Sequence, residues 1–469
     1  MAKSEICKYA KLSRLSLYLV CPDDAIPCLP VSHSPISVVW TQRRTQARVY
    51  TREGRINRPM GRHGQKGREA SIHAALDDFV TKLKRKRLGG SSLALARHTT
   101  EVLIHAVAAQ QGPTAEGIIE GVRAVSKKLV EARPLGASRP TNRTSSHRTH
   151  RPVQLASKKQ TLFPNLSHPS TELVVGNMCR RVLHIIREEA AGDGGKAGNA
   201  ASDAMDGSDG SDDEDNSVRG GAMRAFKAEV IEVIGELIDE LESVNAHIVQ
   251  HALEHVSPSS VVLTSGGSDI VEAFLREANR KRKFQCIVAE GAPGLTGHQM
   301  ARALAEKGVE TTAVADASVF AMMSRANLVV LSACGVFANG GILAPAGHHT
   351  VALAAKAHSV PVVFLAGLHE LSPLGPGDEA FDTDDLLSPA DVIDYTALAD
   401  CGVGGGRDDG GNEGDVDGDV ASLSVANPAY DYVGPELVTL VLTDVGGQVP
   451  AFVKQLLSEI YDPADRTFG

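Results

Sequence analysis

The stretch "VVLTSGGSDIVEAFL" (261–275) decides the fold class. A short apolar, β-branched run leads into a Gly-Gly-Ser turn, and apolar residues then recur at the spacing of an amphipathic helix. A strand that feeds a glycine turn and a helix is the repeating unit of a parallel α/β sheet. Phosphate-binding loops and nucleophile loops are often built in the same way, so the stretch also raises the question of a reaction site.

The same unit repeats through the C-terminal half of the chain. The pattern predicts a mostly parallel, doubly wound, Rossmann-like sheet over residues 257–469. Strands are predicted at 261–264, 285–289, 311–314, 328–333 and 360–365, and helices at 269–282, 297–307, 317–325 and 347–358. A Gly/Asp-rich tract at 401–420 is predicted to be a disordered insert, after which the chain returns a strand and a helix.

The N-terminal half has a helical period instead. A helical domain is predicted over 71–190, with helices near 71–86, 91–109, 114–131 and 170–189 and a Pro/Ser/Arg-rich insert at 134–168. The first of these helices places five apolar residues on one face: Ile72, Leu76, Phe79, Val80 and Leu83. A connecting helix is predicted at 223–256, with an apolar seam at alternating spacings of four and three that must pack along most of its length. The seam consists of Val230, Ile234, Leu237, Leu241, Val244 and Ile248.

Two polar segments lack any such period. Residues 1–70 form a basic, Arg-rich stretch that is predicted to be disordered, with a basic RNA-binding arm as the alternative. Its first residues have only a weak likeness to a targeting peptide, because the apolar run is short and no cleavage site follows. Residues 191–222 are predicted to be an acidic Gly/Asp linker, because they offer little apolar area to bury.

Composition narrows the class of protein. The formal charge of −9 makes nucleic acid an unexpected partner, and no apolar run approaches the ~20 residues of a membrane helix. The seven cysteines are scattered and form no CxxC pair, which favours reduced thiols in the cytosol over disulfides or a zinc site. No HxH or HExxH pair is present either, so no metal and no cofactor is expected.

Ligands of an open parallel sheet bind at the carboxyl ends of its strands. Four glycine-containing or small-residue loops are predicted there: "TSGGSD" (264–269), "EGAPGLTGH" (290–298), "DASVFAMMS" (316–324) and "SACGVFANGG" (332–341). A phosphorylated small molecule is the natural guest of such loops. A dinucleotide is not expected, because the GxGxxG spacing is absent and no acidic residue is expected to cap a second strand about 20 residues later. A hydrolase nucleophile at Ser268 is not expected, because the GxSxG elbow is missing.

The residues from "VEAFLREANRKRKFQCIVAEGAPGLTGH" through "ANGGILAPAGHHTVALAAKAHSVPVVFLAG" closely resemble the alpha/beta/delta regulatory-subunit family of eukaryotic translation initiation factor 2B. The segments "GNMCRRVLHIIREE", "EVIEVIGELIDELE" and "NPAYDYVGPELVTL" are similar to the same family. The resemblance covers roughly 71–132, 170–190, 223–375 and 425–466, in the family's order. Asn279–Phe284 and Ser318–Arg325 are most similar to the beta branch.

The family also resembles sugar-phosphate isomerases such as methylthioribose-1-phosphate isomerase. That resemblance places Gly266 where the enzymes use a cysteine and Cys334 where they use an aspartate. Glycine can move no proton, a neutral thiol poorly replaces a carboxylate, and the phosphate-holding arginine is missing from "EGAPGLTGH". The implied site is therefore a remnant sugar-phosphate pocket without catalytic residues. It comprises Thr264, Gly266, Gly267, Ser268, Cys334, Asn339, Gly340 and Asp431.

The resemblance implies a non-catalytic regulatory subunit of the guanine-nucleotide exchange factor that acts on translation initiation factor 2. The implied partners are the delta, gamma, epsilon and alpha subunits, with epsilon as the catalyst and delta bound through the Rossmann-like domain. The implied contact residues are His255, His298, Val433 and Leu437. A working sugar-phosphate isomerase is the alternative, and a ligand sensor without turnover is a third hypothesis.

Overall fold

The computed structural model describes residues 76–83, 91–110, 114–132, 171–202, 212–376, 386–394 and 425–468. The predictions for the basic extension at 1–70, the insert at 134–168 and the Gly/Asp tract at 401–420 concern residues outside these ranges.

The N-terminal part of the described chain is helical, as predicted. Ser91 and Thr114 begin two of the helices as N-caps, each accepting a backbone N–H from three residues further on. The apolar faces form one core that includes Leu76, Phe79 and Leu83 of the first predicted stripe. The helices are α1 (76–83), α2 (Ser92–Ala109), α3 (Ala115–Glu131), α4 (Thr171–Ser202), α5 (Asp212–Gln250) and α6 (Ala252–His255).

Helix α5 connects the two cores of the chain through its predicted seam, all six residues of which are buried. The first four, from Val230 to Leu241, pack in the helical core. Val244 and Ile248 pack instead in the core beneath the sheet. The seam therefore has a packing partner along its length, which is what its spacing required.

The prediction of a linker at 191–222 is wrong at both of its ends. Helix α4 continues to Ser202 and helix α5 begins at Asp212, so only 203–211 lie outside the described helices. The prediction assumed that these residues need burial to become ordered. Once a packed segment has nucleated a helix, each added residue gains a backbone hydrogen bond, so a helix can extend into a sequence that offers little apolar area.

The C-terminal part is built on a seven-stranded sheet in the order β10-β9-β7-β4-β1-β2-β3, in which only β10 runs antiparallel to its neighbour. The strands and helices predicted between residues 261 and 365 are confirmed to within two residues at each end. The strands are β1 (Val261–Ser265), β2 (Gln285–Ala289), β3 (Glu310–Val314), β4 (Leu328–Ser332), β7 (Val362–Leu365), β9 (Leu440–Thr443) and β10 (Gly446–Gln448). The helices are α7 (Asp269–Lys281), α8 (Thr296–Glu306), α9 (Val319–Met323), α10 (His348–Ala357) and α11 (Val453–Ile460).

A second, three-stranded sheet was not predicted. It has the order β5-β6-β8 and consists of β5 (Gly335–Val336), β6 (Ile342–Pro345) and β8 (Tyr430–Val433), all antiparallel. The prediction of one closing strand is therefore incomplete, since the closing segment contributes β8, β9 and β10. Strands of two to four residues are too short for a period to be recognised in the sequence.

The last residues of the chain return to the helical part. The Arg181 guanidinium of α4 donates to the Ile460 carbonyl, and Arg180 donates to that of Arg466. Arg180 also lies over the ring of Phe468, with its guanidinium carbon 4.8 Å from the ring centroid. The two parts of the described chain are thus joined by polar contacts as well as by α5.

Candidate functional site

The loop after β1 is closed by hydrogen bonds within the chain. Gly266 has a φ of +65°, which glycine adopts without strain, and its N–H donates to the Ala289 carbonyl at 3.1 Å. The Gly267 N–H donates to Thr296 Oγ1 at 2.8 Å, at the start of α8. Thr264 is buried in β1, and Ser268 precedes α7 without a capping bond from its side chain. The two glycine N–H groups that could hold a phosphate therefore already have acceptors.

The loop after β2 packs directly on the loop after β1. A Cβ atom placed on Gly291, whose φ is +67°, would lie 2.9 Å from the Gly266 Cα atom. These glycines therefore serve the close contact of two loops. A ligand is not needed to explain them.

Asp316, just after β3, supplies an internal anion to that second loop. Its carboxylate accepts the Gly291 N–H at 3.0 Å and the Ala292 N–H at 2.7 Å. Adjacent backbone N–H groups of this kind are a common anion site, and here a side chain of the same chain fills it.

Asp431 has a similar role at the next helix along this edge. Its carboxylate accepts the Gly347 N–H at 2.7 Å and the His349 N–H at 3.1 Å, so it caps the N-terminus of α10. Burial lowers the pKa of the neighbouring His348 to about 4, so that imidazole is neutral near pH 7. Asp431 thus contributes a structural cap.

Cys334 lies in the connection from β4 to the small sheet, and its N–H donates to the Leu343 carbonyl. Burial, with a contribution from the Glu370 charge, raises the pKa of its thiol well above the usual range. The thiol is therefore protonated and a poor base at neutral pH. Since β4 and β1 are neighbours in the sheet, Gly266 and Cys334 both follow central strands.

Asn339 and Gly340 belong to the small sheet and contact other parts of the chain. Asn339 donates to the Tyr432 hydroxyl at 2.7 Å and accepts from the Gly341 N–H at 3.0 Å. A Cβ atom on Gly340 would lie 2.4 Å from the Pro450 carbonyl oxygen. The predicted pocket residues therefore divide between the β1 loop and the small sheet, and those in the small sheet have structural contacts.

The implied contact residues differ in exposure. His298 is exposed, with its Nε2 atom 3.6 Å from a Glu290 carboxylate oxygen, and His255 is half-buried. Val433 is fully buried in β8, and Leu437 is only 7% exposed. These two side chains pack inside their own chain, so any contact with a partner must come from other residues.

Glu290 directly follows β2, so the prediction that no acidic residue caps a second strand is wrong. The GxGxxG spacing remains absent from the β1 loop, so a dinucleotide site is still not indicated.

A buried polar cluster at the carboxyl end of β7 was missed altogether. Ser92 Oγ donates to Glu370 Oε1 at 2.5 Å and lies 3.1 Å from His369 Nε2. Burial raises the pKa of Glu370 to about 7 and lowers the pKa of His369 to about 4. The cluster is not a hydrolase triad, because the carboxylate binds the hydroxyl and not the far nitrogen of the imidazole. The one signal in the sequence was an adjacent His-Glu pair soon after a strongly apolar strand.

Among the described residues, no group of three His, Cys, Asp or Glu side chains is arranged to hold a metal ion. Within the same residues, no helix is long and apolar enough to cross a membrane.

Comparisons with known proteins agree with the resemblance seen in the sequence. The sequence model described as "Initiation factor 2 subunit family" matches residues 90–450. "Translation initiation factor eIF2B subunit beta" of Dictyostelium discoideum is 31% identical over 440 residues, covering 86% of this chain and 98% of its own length.

Two solved structures share the fold. The crystal structure of eIF2B beta from Chaetomium thermophilum has a TM-score of 0.59 at 23% identity, over 87% of this chain and 98% of that chain. A chain of the tetrameric eIF2B-beta2-delta2 complex from C. thermophilum has a TM-score of 0.55 at 22% identity, over 86% of this chain and 100% of that chain. The extent of the sequence matches shows that this chain belongs to the Initiation factor 2 subunit family.

Proposed function

We propose that this chain is a non-catalytic regulatory subunit, of the beta type, in the guanine-nucleotide exchange factor that acts on translation initiation factor 2. The similarity to a named beta subunit along nearly the whole of that relative carries the proposal. We further propose that it works in the cytosol, pairs with a delta subunit, and joins the gamma, epsilon and alpha subunits in one complex.

The chemistry of the sheet edge supports a role without catalysis. Gly266 has no side chain, and the Cys334 thiol is protonated at neutral pH. The N–H groups of Gly267, Gly291 and Ala292 already donate to acceptors within the chain. Gly266 and Cys334 therefore supply no base at neutral pH, and the N–H groups of Gly267, Gly291 and Ala292 are not free to hold a phosphate.

An exposed apolar patch supports pairing through the Rossmann-like domain. Phe320 of α9 is 59% exposed and Leu353 of α10 is 51% exposed, on two helices that pack against each other. The Phe320 ring also meets His358 edge-on, with centroids 4.9 Å apart. Large apolar side chains that are exposed to solvent on the surface of helices are typical anchors of a protein interface. We propose this patch as part of the surface that contacts the delta subunit, with His255 and His298 as separate candidate contacts.

Co-expression with the delta subunit tests the pairing. The complex is isolated through a tag on delta, and the mass of the intact complex is measured. We expect Phe320→Asp and Leu353→Asp to lower the amount of co-purified chain at least tenfold, because a buried unpaired carboxylate disfavours association. Val449→Asp is the matched control, since Val449 is similarly exposed, at 48%, outside the patch.

The whole proposal fails if the unaltered chain stays alone when the delta, gamma and epsilon subunits are supplied together. If pairing persists in both patch variants, the assignment of the patch is wrong and the pairing itself stands. The alternative, a sugar-phosphate isomerase, is tested by turnover of ribose or methylthioribose phosphate. Turnover that disappears in Cys334→Ala would replace the proposal with that enzyme class.

A further inference from the structure

The buried cluster of Ser92, His369 and Glu370 connects the helical part of the chain to the sheet. Ser92 is the first residue of α2, whereas the other two lie just after β7. The side chains of His369 and Glu370 are 3% and 10% exposed, and their closest nitrogen and oxygen are 3.7 Å apart. Two ionisable groups are thus held together away from water, with one hydroxyl between them.

The surrounding groups fix both partners in place. Glu370 Oε2 accepts the Gly367 N–H at 3.1 Å, and the His369 carbonyl accepts from the Asn177 amide of α4 at 3.1 Å. Val244 of α5 lies beside Gly367. Helices α2, α4 and α5 therefore all meet at this short segment.

The other titratable groups that face Glu370 are few. Asp444 in the turn from β9 to β10 accepts the Leu368 N–H at 3.1 Å, and its charge disfavours ionisation of Glu370. The Cys334 thiol is the second such group, and it is neutral. Neither supplies a positive charge that would stabilise a Glu370 carboxylate.

Burial limits the net charge that the cluster can carry. The two contacts of the Ser92 oxygen need two protons, of which the hydroxyl supplies one; the other comes from a protonated Glu370 carboxyl or from an N–H at Nε2 of His369. A buried pair is costly if it carries a net charge, which favours one titratable proton between the carboxyl and the imidazole. When the pair is exposed to water, at a pH between the ordinary pKa values of the carboxyl and the imidazole, it also holds one such proton. That proton is on the histidine.

We propose that Ser92, His369 and Glu370 form a charge-balanced latch, in which docking of α2 on the sheet transfers one proton within the pair and exchanges none with the solvent. The pKa values of the two groups shift in opposite directions, as this proton transfer requires. Burial raises the pKa of Glu370 to about 7, so its contribution to docking is present below about 4.5 and is lost as the pH rises to 7. Burial lowers the pKa of His369 to about 4, so its contribution is present above about 6.5 and is lost as the pH falls to 4. Between pH 5 and 6.5 the two changes cancel, and the latch is insensitive to pH.

Replacing only one residue of the pair should make the docking of α2 depend on pH, with opposite signs for the two variants. The measurement is hydrogen–deuterium exchange of the first turns of α2 in the full chain from pH 5 to 7, corrected for the intrinsic rate. In Glu370→Gln, protection should fall up to about tenfold per unit of acidification, because the remaining imidazole must lose a proton to dock. In His369→Gln, protection should rise by a similar factor, because the remaining carboxyl must take up a proton. The double variant and the unaltered chain should both be flat.

His98 and Glu101 provide a matched control on the same helix. They form a His–Glu pair at 3.1 Å, but their side chains are 53% and 40% exposed. His98→Gln and Glu101→Gln should therefore leave the profile flat. Equal slopes in the two buried variants, or flat profiles in both, would overturn the proposal. If the buried variants do not fold, carbon NMR of labelled Glu370 and His369 in the unaltered chain decides, and titration of either group at its ordinary pKa would refute the latch.

Discussion

The Asp465 carboxylate is held by Arg187, 278 residues earlier in the chain, through Nε at 2.8 Å and a terminal nitrogen at 3.1 Å. Arg123 of α3 contacts the same carboxylate at 2.5 Å. Asp465 is fully buried, and both arginines are about one-third exposed or less. A single carboxylate thus holds α3 and α4 to the C-terminal segment.

Asp465→Asn should lower the free energy of unfolding by about 1–3 kcal/mol, because two partly buried guanidinium groups lose the carboxylate that they share. Chemical denaturation followed by circular dichroism measures the change. Glu306→Gln is the control, since Glu306 forms an exposed pair with Arg302, for which we expect less than about 0.5 kcal/mol. Equal effects in the two variants would show that the buried Asp465 site contributes no more to stability than an exposed ion pair.

The stability difference between the unaltered chain and Asp465→Asn should depend on pH. Burial alone would raise the pKa of Asp465, but the hydrogen bonds and charges of Arg187 and Arg123 lower it below its ordinary value near 3.8. A lowered pKa means that the stabilisation is fully present above pH 4 and is lost as the pH falls through the pKa of the folded state. Denaturation series at pH 7, 4 and 3 should show a difference that is constant from 7 to 4 and then shrinks. A difference that grows on acidification contradicts this.

Asp316→Ala should lower the free energy of unfolding by about 1–2 kcal/mol, because the N–H groups of Gly291 and Ala292 lose a charged acceptor. Glu120→Ala, on the exposed face of α3, should have little effect. Asp316→Ala should also be stabilised by millimolar inorganic phosphate in a thermal-shift assay, whereas the unaltered chain should not. Phosphate-dependent stabilisation of the unaltered chain would restore the ligand-sensor hypothesis.

Two glycines should respond to alanine in opposite directions. Gly235 lies within α5 with no atom near its missing Cβ, so Gly235→Ala should raise the free energy of unfolding by about 0.5–1 kcal/mol. Gly297 in α8 would place a Cβ atom 2.1 Å from the Ala289 carbonyl oxygen, so Gly297→Ala should lower it by about 1–3 kcal/mol or more. Denaturant midpoints of both variants test the contrast, and a destabilised Gly235→Ala would contradict the packing around α5.

The elements that the sequence predicted well are those with a long local period. The seam of α5 repeats over nineteen residues, from Val230 to Ile248, and each parallel strand is an apolar run followed by a helix. Such patterns depend only on which neighbours in the chain share a face. The three-stranded sheet has no comparable period, because its strands are two to four residues long.

The candidate site was predicted in part for the same reason. The sequence placed Gly266 and Cys334 in loops after central strands, and it identified the missing reactive groups through a resemblance. It did not reveal that Asp316 occupies the N–H groups of the neighbouring loop, because that contact joins residues 24 and 25 positions apart. It also assigned Val433 and Leu437 to a partner surface, although both are buried in the chain itself.

The sequence by itself determined the class of fold, the order of the helices and of the parallel strands from β1 to β7, and the family, since each depends on the local order of residue types. Only the tertiary structure decided which charges are compensated. Ser92 meets Glu370 across 278 positions, and Arg187 meets Asp465 across the same separation. Contacts at that range depend on how the helices pack on the sheet. Burial there raises the pKa of Glu370, whereas the nearby guanidinium groups lower the pKa of Asp465.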